Sequence, residues 1–225
     1  MKTFNLFLLG LLFIFGFVKG QETAHDKAFA TLPALKPGEK VATFAGGCFW
    51  SLSEGLSELN GVNKVVAGYA GGAVKNPSYE TVCTKTTGHA ESVQVYYNPA
   101  VISFAALTEA FFYAHDPTTL DRQGPDQGTD YRSIAFYRNS EEKKTIEEVI
   151  AKVNQGHHYK NNIVTQVLPF KVLYPAENYH QGYYKLHPDE TYIQLVSMPK
   201  VLKLRKAKNN LLKPEFQQKA VASLK

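Results

Sequence analysis

Apolar residues recur along this chain at two periods, and the switches between them outline alternating strands and helices. Residues 40–47, KVATFAGG, have the apolar and β-branched content of a buried strand. In the stretch that follows, Phe49, Leu52, Leu56 and Leu59 fall at helical spacing, and Asn60 with Gly61 stops the helix. Residues 62–72, VNKVVAGYAGG, predict a second strand ending in a glycine turn. Residues 91–99, ESVQVYYNP, alternate with Val93 and Val95 on one face, and Pro99 closes that strand. The stretch 103–115, SFAALTEAFFYAH, predicts a buried helix with Ser103 as its N-cap. A strand over 131–139 precedes an amphipathic helix over 140–155, capped by Ser140. Residues 164–176, VTQVLPFKVLYPA, predict one more strand region, broken at Pro169.

Strands and helices in alternation imply an α/β sandwich around a mixed sheet. There is no internal repeat and no low-complexity block. One long loop, DPTTLDRQGPDQGTD at 116–130, is too rich in polar groups and glycine to be mere connection. Loops of that size in compact domains tend to carry function.

Composition adds bounds. The 225 residues suit one domain of ordinary size, and 44% hydrophobic with 12% aromatic residues supply a core. The net charge of +5 is mild and gathers late, in PKVLKLRKAKNN at 199–210, so no nucleic-acid partner is expected. Residues 1–20 carry Lys2, then an apolar run over 4–18 and a cut site after Gly20, the pattern of a cleavable secretory signal. The run is shorter than the roughly 20 apolar residues a membrane span needs. Gln21 stands where a lipid anchor would need cysteine. The expected protein is therefore exported, periplasmic or secreted, without stable membrane insertion after cleavage. Two cysteines, Cys48 and Cys83, make a poor disulfide framework for an exported chain of this length, so at least one is expected to be reactive.

Cys48 follows Gly46 and Gly47 at the expected start of a helix. Free backbone N–H groups and the positive end of the helix dipole would favour its thiolate there, and the glycines would let a substrate approach the sulfur. The alternative is a buried cysteine acting as a small hydrophobe. Glu91 enters an otherwise apolar strand, where burial would raise its pKa to suit a general acid. A carboxylate exposed at a strand start is the rival. His89 and Glu91 match the H-x-E of zinc deaminases, but no downstream P-C-x-x-C exists to complete a zinc site. His157 and His158 lack supporting metal ligands in sequence, and no histidine stands at a spacing that singles out a cysteine-peptidase pair.

The motifs GGCFW, YAGG, NPSYETVC, TGHAESVQVYYNP, GPDQGTDYRS and PAENYHQGYY occur in that order across most of the chain beyond residue 40. Together they resemble the A-class peptide methionine sulfoxide reductases. The resemblance implies an α/β fold (an α+β roll), a mixed sheet flanked by helices around a ferredoxin-like core. It implies that Cys48 attacks the sulfoxide sulfur and Glu91 protonates the oxygen. Tyr79, Asp126 and Tyr131 would bind that oxygen, and Phe49 with Trp50 would wall the S-methyl group. The implied substrates are the S epimer of methionine sulfoxide, free or in oxidised proteins. No metal and no cofactor are implied beyond an external thiol reductant, a thioredoxin-like protein or the glutathione and glutaredoxin system.

The match divides the chain into residues 1–20 as signal, 21–40 as linker, 41–190 as catalytic domain and 191–225 as a basic tail. Many relatives carry a resolving cysteine after a tyrosine in that last segment. Here Ile193 follows Tyr192, and the tail has no cysteine. The expectation is a monomer with a one-cysteine cycle, Cys83 being a buried bystander. A thiol peroxidase using Cys48, or a sulfoxide-binding module without turnover, are the competing functions. A peroxidase would need no methyl-sized aromatic pocket, and a binding module would have no use for both Cys48 and Glu91.

Overall fold

The computed structural model describes residues 27–217. The first half runs β1 (Lys40–Ala45), α1 (Phe49–Ser57), β2 (Val62–Ala70), α2 (Tyr79–Cys83), β3 (Ala90–Tyr97) and α3 (Phe104–Ala114). The loop after α3 holds a small ladder of β4 (Arg122–Gln123) and β5 (Asp126–Gln127), then a 3-10 turn over Thr129–Tyr131. Next come β6 (Ile134–Tyr137), α4 (Ser140–Gln155), β7 (Gln166–Pro169) and β8 (Leu173–Pro175). The last part is helical, with α5 (Tyr183–Leu186), a π-helical turn over Ile193–Ser197 and α6 (Met198–Ala207).

Six strands form the main sheet in the order β7-β6-β1-β3-β2-β8. Only the β6–β7 pair is parallel, so the sheet is mixed. Within it β1-α1-β2 and β3-α3-β6 interleave as β6-β1-β3-β2, the expected ferredoxin-like core. β7 and β8 occupy opposite edges, yet only residues 170–172 separate them. Six flat strands would hold their edges roughly 24 Å apart at the usual inter-strand spacing. Four extended residue steps reach about 14 Å at most. The sheet must curl, which makes the fold a roll.

Strand alternation gives the curled sheet two apolar faces. Ala42, Phe44, Val93, Val95 and Tyr69 pack with Leu52, Leu56, Phe111 and Phe112 on the helix side. Inside the curl Ala45, Ala70, Ala90, Ile134, Phe136 and Leu173 form a second, smaller cluster. A side chain at Gly68 would strike the carbonyl of Tyr174 and the side chain of Leu173, so the pairing of β2 with β8 needs glycine there.

Two expectations change. The region 164–176 is two strands at opposite edges rather than one broken strand. The cap of α4 is Asn139, whose side chain accepts from the Glu142 N–H at 2.8 Å, while Ser140 is already in the first turn. Ser103 does cap α3, accepting from the Ala106 N–H at 3.1 Å. The basic segment after residue 190 docks on the domain: Ile193, Ser197, Val201 and Leu204 are buried, and α6 packs on α1 and α3. Its basic groups are taken up locally. Arg205 pairs with Glu58, Lys208 with Glu109, and the Lys203 ammonium sits 4.6 Å from the Tyr159 ring centroid. Residues 28–30 are likewise pinned, through Ala30 N–H to Ala176 O and Asn178 N–H to Ala28 O. The expected signal at 1–20 lies outside the described residues, and among those described no helix is long and apolar enough to cross a membrane.

Candidate active site

The turn from β1 into α1 places Cys48 immediately before the helix, with its side chain 5% exposed. Gly47 has φ +78°, and a Cβ there would run into the Gln123 side chain. A Cβ at Gly46 would press on His115 and Phe111. The two glycines are thus required by the packing of the turn. Gln123 in turn braces the loop, accepting from the Asp116 N–H at 2.9 Å and donating to its carbonyl at 3.0 Å. Gly47→Ala should lower folding stability by roughly 1–3 kcal/mol through backbone strain, with the clash adding to it. An unchanged urea midpoint would show that the turn relaxes.

Glu91 shares the helix-side face of β3 with Val93 and Val95, opposite Tyr69 on β2. Its carboxyl, 3% exposed, accepts the Phe49 N–H at 2.9 Å. One free N–H of the first helical turn is therefore spent on Glu91. Cys48 and Glu91 line one cavity of about 280 Å³ together with Trp50, Tyr79, Asp126, Tyr131, Glu190 and Tyr192. Six of the seven residues expected from the sequence meet there. The exception is Phe49, which is fully buried against Tyr69 and His180 and does not line the cavity. Its side chain is core, and its backbone N–H is what serves the site.

Trp50 supplies the aromatic wall. It stacks on Tyr183 with centroids 3.8 Å apart, meets Tyr192 edge-on, and donates its Nε1–H to His180 Nδ1 at 3.1 Å. Tyr79 is held through its backbone, which donates to Glu177 Oε1 at 2.9 Å. Asp126 accepts from the Tyr192 hydroxyl at 2.7 Å and lies 3.6 Å from the Lys200 ammonium. Tyr192, Glu190, Lys200, Glu177 and His180 were not singled out from the sequence. They approach the site through long-range packing, for which periodicity gives no sign; the sole pointer was the motif PAENYHQGYY that holds Glu177 and His180.

Electrostatics alter the picture of the nucleophile. Burial pushes the Cys48 thiol well above its ordinary range, and the neighbouring Glu91 adds to the rise. The Trp50 N–H, the Tyr192 hydroxyl and Lys200 pull the other way without overcoming it. The thiolate expected from the helix position is not the resting state, because loss of solvent outweighs the helix end. Burial also pushes Glu91 up to about 8, reinforced by Asp130 and Asp126 and opposed by the Phe49 N–H and Cys48. At neutral pH Glu91 is a protonated acid. Tyr79, Tyr131 and Tyr192 are all pushed up, first by burial, and remain phenol donors.

Cys83 ends α2 and is exposed, not buried as expected; its thiol contacts Tyr79 but it does not line the cavity. Both cysteines are free thiols. His89 is a clamp for the loop after β2, bonding the Gly72 N–H at 3.1 Å and the Val74 carbonyl at 2.7 Å. Among the described residues no group of three or more His, Cys, Asp or Glu could hold a metal ion.

A family described as peptide methionine sulfoxide reductase matches residues 40–212. A peptide methionine sulfoxide reductase MsrA of Thermus thermophilus is 48% identical over 176 residues, 78% of this chain and 99% of that protein. That of Polynucleobacter asymbioticus is 45% identical over 180 residues, 80% of this chain and 95% of the relative. Among solved structures, reduced Mxr1 of Saccharomyces cerevisiae is similar with a TM-score of 0.65 and 36% identity, covering 70% of this chain and 91% of that one. Methionine sulfoxide reductase A of Corynebacterium diphtheriae gives a TM-score of 0.60 and 32% identity, covering 68% and 77%.

Proposed function

Since this chain belongs to the peptide methionine sulfoxide reductase family and is a thiol-dependent reductase of methionine sulfoxide, we propose that Cys48 and Glu91 carry the chemistry between them. The observation that carries this reading is their meeting in one small cavity that also holds Trp50, Tyr79, Asp126 and Tyr131. A sulfoxide presents a methyl group beside a polar oxygen. Trp50 receives the methyl, and the opposite wall of phenols and carboxyls receives the oxygen, so the site selects one epimer, which the family resemblance makes the S form.

With both groups neutral at rest, the reactive state arises when the substrate oxygen engages the Glu91 proton. The Cys48 sulfur attacks the sulfoxide sulfur while Glu91 protonates the oxygen, and the thiol proton passes to the Glu91 carboxylate so formed, which restores the acid. Without that proton the leaving group would be oxide. The hydroxyl passes to Cys48 as the S–O bond to the substrate breaks, so methionine leaves reduced and Cys48 is oxidised to sulfenic acid. An external thiol then returns Cys48 to the thiol through a mixed disulfide. A thioredoxin-like protein, or a glutathione and glutaredoxin pair, has the chemistry for this. Ile193, fully buried after Tyr192, supports a cycle without a resolving cysteine in the C-terminal segment. Export is proposed on the N-terminal sequence pattern alone, and the enzyme would then repair oxidised proteins outside the cytosol.

One single-turnover experiment tests the reading. Equimolar protein and a peptide bearing methionine S-sulfoxide are mixed without reductant, in the presence of a dimedone-type trap. One methionine per protein should form, with the trap on Cys48 and a free thiol at Cys83. A stoichiometric Cys48–Cys83 disulfide would overturn the one-cysteine cycle. No methionine, but consumption of a hydroperoxide in a parallel tube, would move the protein to the thiol peroxidases.

A further inference from the structure

The C-terminal helix places a charge behind the wall of the catalytic cavity, beside Asp126. Lys200 lies on α6, in the basic C-terminal segment of the chain. Its side chain is 16% exposed and its ammonium is shut off from solvent with no hydrogen-bond partner, 3.6 Å from Asp126 Oδ2. An ammonium in such a place is costly unless an opposite charge compensates it. The same Asp126 oxygen accepts from Tyr192 at 2.7 Å, so two residues of one segment converge on one atom.

The backbone between them accounts for the convergence. In a regular helix, eight residues leave two side chains about 80° apart around the axis. The π-helical turn Ile193–Ser197 lies between Tyr192 and Lys200 and runs directly into α6. Each wider turn takes in an extra residue and so brings the two side chains towards one face. Such turns occur often at functional sites. Carboxyl groups gather here from several elements: Glu91 from β3, protonated at neutral pH, Asp126 from β5 and Glu190 ahead of the π turn line the cavity, while Asp130 of the 3-10 turn acts on Glu91 from outside that lining. Tyr79, Tyr131 and Tyr192 face the same space as neutral phenols.

We propose that Lys200 is a positioning residue that fixes Asp126 and supplies the positive charge against which negative charge forms on Cys48. This rests on the reductase reading only for what the charge is used for. Lys200 is among the groups that lower the Cys48 thiol pKa, in the direction this role requires.

Alkylation of Cys48 by iodoacetamide tests the charge with no sulfoxide present, so it would fail separately from the reductase assignment. In a Cys83→Ser background at pH 8, Lys200→Met should slow alkylation about tenfold, one unit of thiol pKa. The single-turnover reduction of methionine sulfoxide should fall by a similar factor, and Lys200→Arg should recover most of both. Circular dichroism and thermal unfolding check that the variants fold; Lys200→Gln carries the same test if the methionine variant does not. Alkylation within twofold of the parent in a folded variant would overturn the proposal. Loss of the fold in both variants would overturn it too, making Lys200 a structural pin.

Discussion

Glu91→Gln should slow the single-turnover reduction of methionine sulfoxide by about 10²–10⁴-fold, the range for loss of a general acid. The same change should make Cys48 react faster with iodoacetamide above about pH 8. In the parent protein Glu91 is ionised there, and its charge is one of the two causes that hold the thiol up. Glutamine removes that charge yet still accepts the Phe49 N–H, so the helix start keeps its partner. The two readouts thus move in opposite directions, which a general collapse of the site would not do. Stability gives a third sign. Because the folded protein holds the Glu91 proton up to about 8 and the unfolded chain releases it in the ordinary carboxylate range, parent stability declines as pH rises through that window. The glutamine variant lacks this decline, so its unfolding midpoint should gain on the parent between pH 5 and 9. Equal reduction rates in variant and parent at neutral pH would remove Glu91 from the chemistry.

Much of the site was legible in the sequence because it hangs on strand and helix ends. Cys48 sits at a strand-to-helix turn that glycines announce, and Glu91 interrupts an alternating strand, so both signals are local. Phe49 and Trp50 show where local reading stops. They are adjacent in the same first turn, yet a helix points successive residues about 100° apart, so one wall of the cavity and one piece of core were bound to differ. Which was which depended on His180 and Tyr69, distant in the chain. The direction of the Cys48 shift is hidden for a related reason. A helix end acts from the neighbouring residues, but burial is a property of everything packed around the sulfur. The curl of the sheet was implied by the resemblance alone, because the shortness of residues 170–172 matters only once the strand order is known.

The largest expected loss of stability comes from the contact that ties the C-terminal helix to the catalytic one. Glu58, at the end of α1, is fully buried, and both its oxygens are taken by Arg205 of α6, from Nε at 2.7 Å and from Nη2 at 2.5 Å. One turn earlier Glu54 is also buried; burial and the adjoining Glu58 push it up to about 7. Arg205→Met keeps an aliphatic stem but leaves Glu58 enclosed without its counter-charge, beside a second carboxyl. Breaking a buried pair from one side costs about 3–5 kcal/mol, read as a fall in urea midpoint at constant slope. Because α6 also carries Lys200, the variant should alkylate Cys48 more slowly even where it remains folded. Adding Glu58→Leu removes the stranded charge, and the double variant should recover most of the lost stability, since a well-packed apolar pair replaces a buried ion pair at little cost. If single and double variants are equally destabilised, the helix is held by the packing of Val201 and Leu204, and the ion pair only sets its register.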